Sequence, residues 1–186
     1  MERISCFMIC LWALFFKTLG QIDENKVTRF VLNYSKTQDV RAEAVRSILD
    51  SAQYIPEIIE RISRPAEGIS WKRYRKIFLT NERITKGVNF WNDHESTLNA
   101  VSKDTGVEIE YLIAILGVET YYGEKKGAYK VLDALYTLAF AYPKRANFFT
   151  KELGEFITLS ITQNLDLYNA EGSYAGAIGY CQFMPS

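Results

Sequence analysis

The stretch Ile109–Gly123, IEYLIAILGVETYYG, constrains the chain most, because it is a helix-length apolar run that carries a carboxyl, Glu119, near its end. Leu112, Leu116 and Glu119 recur at helical spacing, and Ile109, Ile113 and Ile115 widen the stripe. The pattern predicts a buried helix face from which Glu119 projects. Desolvation disfavours a charged carboxylate, so a carboxyl in that setting is kept in the protonated form that a general acid needs. Gly123 supplies a helix stop, which leaves Glu119 near the negative pole of the helix, where charge is disfavoured again. The residue types alone leave an ordinary alternative open, a carboxylate satisfied by a buried arginine.

Several function classes are excluded by what surrounds this stretch. A chain of 186 residues with 48% hydrophobic positions suits one domain with a substantial core. Lys plus Arg and Asp plus Glu both total 22, so no charge excess points to nucleic acid or to an anionic surface. Three cysteines, Cys6, Cys10 and Cys181, make no disulfide framework. His94 is the single histidine and has no second ligand at metal spacing, so no metal or cofactor is expected. The glycines Gly172, Gly176 and Gly179 lack dinucleotide spacing, and neither a nucleophile elbow nor a phosphate loop occurs.

Residues 1–20 read as a secretory signal. Arg3 gives a basic start, Ile4–Phe16 is an apolar run shorter than a spanning helix, and Thr18-Leu19-Gly20 offers a cleavage site before Gln21. The residues before Cys10 do not form a lipobox, so no lipid anchor is expected. An uncleaved anchor is the alternative for this segment. Residues 21–186 then form the exported domain.

Helical patterns follow from Asp23. Val27, Phe30, Val31 and Tyr34 form one stripe, Val45, Ile48, Leu49 and Ala52 a second, and Ile55, Ile58, Ile59 and Ile62 a third that Pro65 ends. Trp71, Tyr74, Ile77 and Phe78 make a bulky amphipathic face, suited to core packing for all but Tyr74, and Ile84, Val88, Trp91 and Leu98 continue the helical register. A further helix runs through Val131, Leu132, Leu135, Leu138 and Ala139 until Tyr142-Pro143 interrupts it. Asp133 in its first turn complements the helix dipole, a structural role that competes with pairing to Glu119. Near the C-terminus, Gln182 offers both a donor and an acceptor for amide and hydroxyl groups. Tyr180 and Phe183 offer stacking surface, with core packing an equal alternative for Phe183 and Met184.

Three blocks, GVETYYG, KVLDALYTLAFAYPKRANFF (Lys130–Phe149) and GSYAGAIGYCQFMPS (Gly172–Ser186), resemble the membrane-bound lytic murein transglycosylase B family in order and spacing, with weaker matches at Arg64–Leu79 and Arg83–Trp91. The resemblance implies a mainly α, lysozyme-like domain with little or no sheet. It implies Glu119 as the single catalytic acid–base group, with Tyr74 and Ser173 near it and the Gln182-Phe183 pair lining a saccharide subsite. Lys144 and Arg145 stand where many relatives carry Arg-Arg and hold the glycan strand or its peptide, and Lys144 lacks the forked donor geometry. Cys181 replaces what is often glycine. The implied activity is cleavage of the β-1,4 bond between N-acetylmuramic acid and N-acetylglucosamine, leaving a 1,6-anhydromuramoyl end. The implied partners of a monomer are peptidoglycan glycan strands, and other cell-wall enzymes stay open. Ser186 falls inside a family block, so the chain reads as C-terminally truncated; the rival reading is an inactive secreted remnant that binds peptidoglycan or a partner.

Overall fold

The computed structural model describes residues 22–64 and 70–186, so the expected signal segment, its cleavage point at Gln21 and the stop at Pro65 lie outside the described residues. Three helices open the order, α1 (Glu24–Gln38), α2 (Ala42–Ser51) and α3 (Pro56–Ser63). Four more follow, α4 (Trp71–Phe78), α5 (Asn81–Asp93), α6 (Glu95–Thr105) and α7 (Ile109–Thr120). A short strand β1 (Tyr129–Lys130), helix α8 (Val131–Ala141), a 3-10 turn (Pro143–Arg145), α9 (Ala146–Thr162) and β2 (Glu171–Gly172) complete it. The fold is mainly α, as the sequence implies. Among the described residues the sheet is one antiparallel pair, in which Tyr129 faces Gly172 and Lys130 faces Glu171.

The three N-terminal stripes are the buried faces of their helices. Asp23 accepts from the Asn25 N–H to cap α1, whose buried residues are Val27, Phe30, Val31 and Tyr34. Val45 and Leu49 of α2 and Ile58 of α3, with Pro56 at the first helical position, join the same core. At its centre is α8, buried continuously from Val131 to Phe140. A helix apolar on all sides can only be stable when enclosed, and α9, α3 and α1 enclose this one. α9, which is not among the helices expected from the sequence, brings Phe149, Leu153, Phe156 and Ile157 to the core. Asp133 takes the structural role: buried in the first turn of α8, it accepts from the Gln53 N–H at 2.8 Å and ties α8 to the α2–α3 connection. Thr137, one turn later, accepts from the Ile55 N–H at 3.0 Å.

Two expectations fail. The stretch Ile109–Thr120 is not the enclosed helix, since only Ile113, Gly117 and Thr120 of α7 are buried while Tyr111, Ile115 and Val118 are exposed. α7 packs against α5 and α6 through that one side, whereas α8 has neighbours around it. The face of α4 is not core either: Trp71, Tyr74 and Ile77 are exposed, and no residue of the helix is buried. Its rings stack along their own helix instead, with Trp71–Tyr74 centroids 5.9 Å apart and Tyr74–Phe78 centroids 4.9 Å apart. Ile84 and Val88 of α5 are also exposed, while Leu98 of α6 is buried as its spacing suggests.

Candidate active site

The end of α7 is built by a left-handed turn. Tyr121, Tyr122 and Gly123 have φ of 54°, 62° and 89°, and the Tyr122 N–H donates to the Leu116 carbonyl at 3.0 Å, an acceptor it shares with the Tyr121 N–H. The turn folds Tyr122 back beneath Gly117, where a Cβ would lie 2.7 Å from the tyrosine oxygen, and its hydroxyl donates to the Arg83 carbonyl at 3.0 Å. Glu119 therefore sits in the last helical turn, as the sequence suggests. It is exposed, however, so the desolvated carboxyl expected from the apolar pattern is absent. The reason is geometric: the side of α7 buried against the rest of the chain is the Ile113–Gly117–Thr120 side, and the Leu112–Leu116–Glu119 stripe lies beside it, half-buried at Leu112 and Leu116 and exposed at Glu119.

That stripe opens onto a groove. Leu112, Ile115 and Leu116 of α7, Leu98 of α6, Phe90 of α5 and the loop residues Tyr180, Cys181 and Phe183 line a cavity of about 530 Å³. Glu119 stands one turn beyond Ile115 and Leu116 on the same side of the helix. Phe183 is 71% exposed on the groove wall, so it is not core, whereas Met184 packs partly buried against the core. Gln182 adopts φ 53° and donates both amide protons to backbone, to the Lys126 and Gly179 carbonyls at 3.0 Å each. The expectation that it offers a sugar both a donor and an acceptor is thereby reduced to its acceptor, Oε1.

The other residues singled out from the sequence are dispersed. Ser173 is half-buried and its Oγ accepts from the Ala177 N–H at 3.1 Å, shaping the turn before Ile178 and making no hydrogen bond to Glu119 among the described residues. Tyr74 stacks on its helix neighbours Trp71 and Phe78 and makes no hydrogen bond to Glu119 among the described residues. Lys144 is exposed, and the Arg145 guanidinium lies over the Phe148 ring at 4.2 Å, at the end of α8 away from β1. His94 is exposed, packs on Phe90 and lines the groove.

Three residues that the sequence reading passed over organise the site. Thr120 is fully buried; its hydroxyl accepts from the Gly123 N–H at 3.0 Å and donates to the Tyr180 carbonyl at 2.8 Å. Glu152 of α9 is buried and accepts from the Ser186 N–H at 3.0 Å, so it holds the far end of the same loop. Arg83 lies over the Phe78 and Tyr121 rings at 5.1 and 4.4 Å and donates to the Gly117 carbonyl. Lys86 and Lys125 also approach the Tyr121 ring, at 4.7 and 5.1 Å. The Tyr121 hydroxyl donates to Glu82 at 2.7 Å, and that bond first, then desolvation, pushes its pKa from 10.0 to about 12. A threonine directly after the candidate acid is the one cue that could have flagged Thr120; the others depend on contacts between distant segments.

Residues 23–186 match the family model described as the Transglycosylase SLT domain. The chain belongs to this family. It is 38% identical over 154 residues to membrane-bound lytic murein transglycosylase B of Escherichia coli (strain K12), a match covering 77% of this chain and 43% of that protein. Its fold superposes on the soluble lytic transglycosylase SltB1 of Pseudomonas aeruginosa with a TM-score of 0.83 at 44% identity, covering 86% of this chain and 54% of that one. The Escherichia coli lytic transglycosylase Slt35, solved in complex with bulgecin A, gives a TM-score of 0.78 at 36% identity, with 84% of this chain and 51% of that one covered. The chain thus spans about half the length of these relatives. Among the described residues, no helix is long and apolar enough to cross a membrane.

Proposed function

We propose that the chain is a peptidoglycan lytic transglycosylase, which cleaves the β-1,4 bond between N-acetylmuramic acid and N-acetylglucosamine and leaves a 1,6-anhydromuramoyl end. The observation that carries this is the place of Glu119: an exposed carboxyl in the last turn of α7, beside a groove and a loop that presents Gln182 Oε1 and Phe183. Protonated Glu119 gives its proton to the glycosidic oxygen as the C1–O bond breaks, and the substrate's own 2-acetamido group stabilises C1. Ionised Glu119 then takes the proton of the C6 hydroxyl while that oxygen closes on C1. No water and no second carboxylate are consumed, which fits the use of Asp133 as a structural acceptor. Because Glu119 is exposed, desolvation of the carboxyl falls to the bound glycan, which excludes water when it fills the groove.

In this reading Gln182 and Phe183 line a saccharide subsite, and Arg145, with Lys144 beside it, meets the strand or its peptide further along. Tyr74, which is exposed, and Ser173, which is half-buried, contact the same glycan strand. Export by the residue 1–20 signal, with residues 21–186 as the mature domain in the periplasm, fits the basic start and short apolar run of the first segment.

The test is product analysis on purified sacculi. Parent protein releases 1,6-anhydromuramoyl fragments, and Glu119→Gln loses at least the ~10²-fold that general acid–base catalysis supplies. Reducing-end fragments from the parent would identify a water-using hydrolase and overturn the proposed chemistry.

A further inference from the structure

Thr120 cannot touch a substrate, because it is fully buried between the end of α7 and the loop that follows β2. Its hydroxyl accepts from the Gly123 N–H and, with the Leu116 carbonyl a longer second acceptor at 3.4 Å, donates to the Tyr180 carbonyl at 2.8 Å. Among the described residues, this is the side-chain hydrogen bond that joins α7 to the Tyr180–Ser186 loop. The contact is reinforced by shape: the Tyr180 ring lies on Gly123, where an added Cβ would meet it at 1.9 Å and where φ is 89°. The loop's far end is held by Glu152 through the Ser186 N–H, so the segment bearing Gln182 and Phe183 is pinned at both ends. Glu119 immediately precedes Thr120, so the bond that anchors the loop originates next to the candidate acid.

We propose that Thr120 is a positioning residue for the reaction assigned to Glu119: by holding the Tyr180 carbonyl it fixes the spacing between the Glu119 carboxyl and the Gln182–Phe183 wall. The inference rests on the reading of Glu119 as acid and base. The spacing matters because a general acid must lie within about 2.6–3.2 Å of the oxygen it protonates, and a misplacement of ~1 Å lowers turnover about 10²-fold. Valine has the shape of threonine without the hydroxyl, so Thr120→Val keeps the interface filled while leaving the Tyr180 carbonyl and the Gly123 N–H without their partner. Thr120→Ser keeps both bonds and loses a methyl group.

Amide hydrogen exchange and sacculus turnover on the full chain separate the outcomes. In Thr120→Val the amides of Gly123 and Ile178, the latter bonded to the Phe183 carbonyl, should exchange at least about tenfold faster, with Leu135 and Leu138 of α8 unchanged. Its kcat should fall about 10–100-fold with KM within about threefold of the parent, and Thr120→Ser should restore both. Unaltered exchange at Gly123 and Ile178, or a kcat retained despite a loosened loop, overturns the proposal and leaves the acid–base reading standing. Faster exchange across α8 as well would make Thr120 merely structural and also overturns it. A parent that releases nothing from sacculi overturns the acid–base reading itself, and the positioning role with it, whatever the exchange data show.

Discussion

At the scale of single residues, the two acids that the sequence sets side by side separate by what each touches. Asp133 is buried and serves the Gln53 N–H, so Asp133→Ala should cost about 1.5–3 kcal/mol in urea denaturation, the range of a hydrogen bond to a charged group. Asp133→Asn keeps a carbonyl acceptor and should lose less, with sacculus cleavage retained. Catalytic loss in Asp133→Asn equal to that of Glu119→Gln would return it to the site. Tyr121 gives a pH test. Its hydrogen bond to Glu82 raises its pKa from 10.0 to about 12, so the folded state holds this proton more tightly than the unfolded chain. The stability it contributes is complete below its ordinary value and is lost as pH rises toward about 12. Difference absorbance between the parent and Tyr121→Phe should place this titration near pH 12; a midpoint at the ordinary tyrosine value would show that the Glu82 bond does not persist in solution.

At the scale of elements, apolar composition and burial part company. α7 and α8 are both apolar in sequence, yet α8 is enclosed and α7 is a surface helix with one buried edge. The periodicity of α7 locates Glu119 on the Leu112–Leu116 stripe correctly, but it does not say which stripe meets the core. α4 shows the same limit, since its aromatic spacing matches a core face and its rings stand in solvent. Mutational cost should follow the contacts. Phe149→Ala in α9, where the ring is 1% exposed, should destabilise by about 3–5 kcal/mol, whereas Trp71→Ala, 72% exposed, should stay within about 0.5 kcal/mol. A comparable loss from both in thermal or urea unfolding would mean that α4 is covered in the folded protein.

At the scale of the whole molecule, the main core draws on α1, α2, α3, α8 and α9, and α5–α7 contribute none of its buried residues. The groove and Glu119 thus belong to the less anchored group of helices, tied to the rest through the loop at Thr120 and Glu152. Native-state hydrogen exchange at low denaturant should show α5–α7 opening at a lower free energy than α8 and α9; one common value for all would mean a single cooperative unit. The sequence by itself determined the helices that carry α1–α3 and α8, the last-turn position of Glu119 and, through the blocks at GVETYYG and GYCQFMPS, the family. These are local properties, set by side-chain period, helix stops and motif order within a few residues. Only the tertiary structure decided that Glu119 is exposed, that α4 is uncovered, that Gln182 turns its donors inward and that Thr120 and Glu152 hold the loop. Each of those depends on which distant segment arrives at a given face, and a hydrogen bond from residue 120 to residue 180, or from 152 to 186, leaves no periodic trace along the chain.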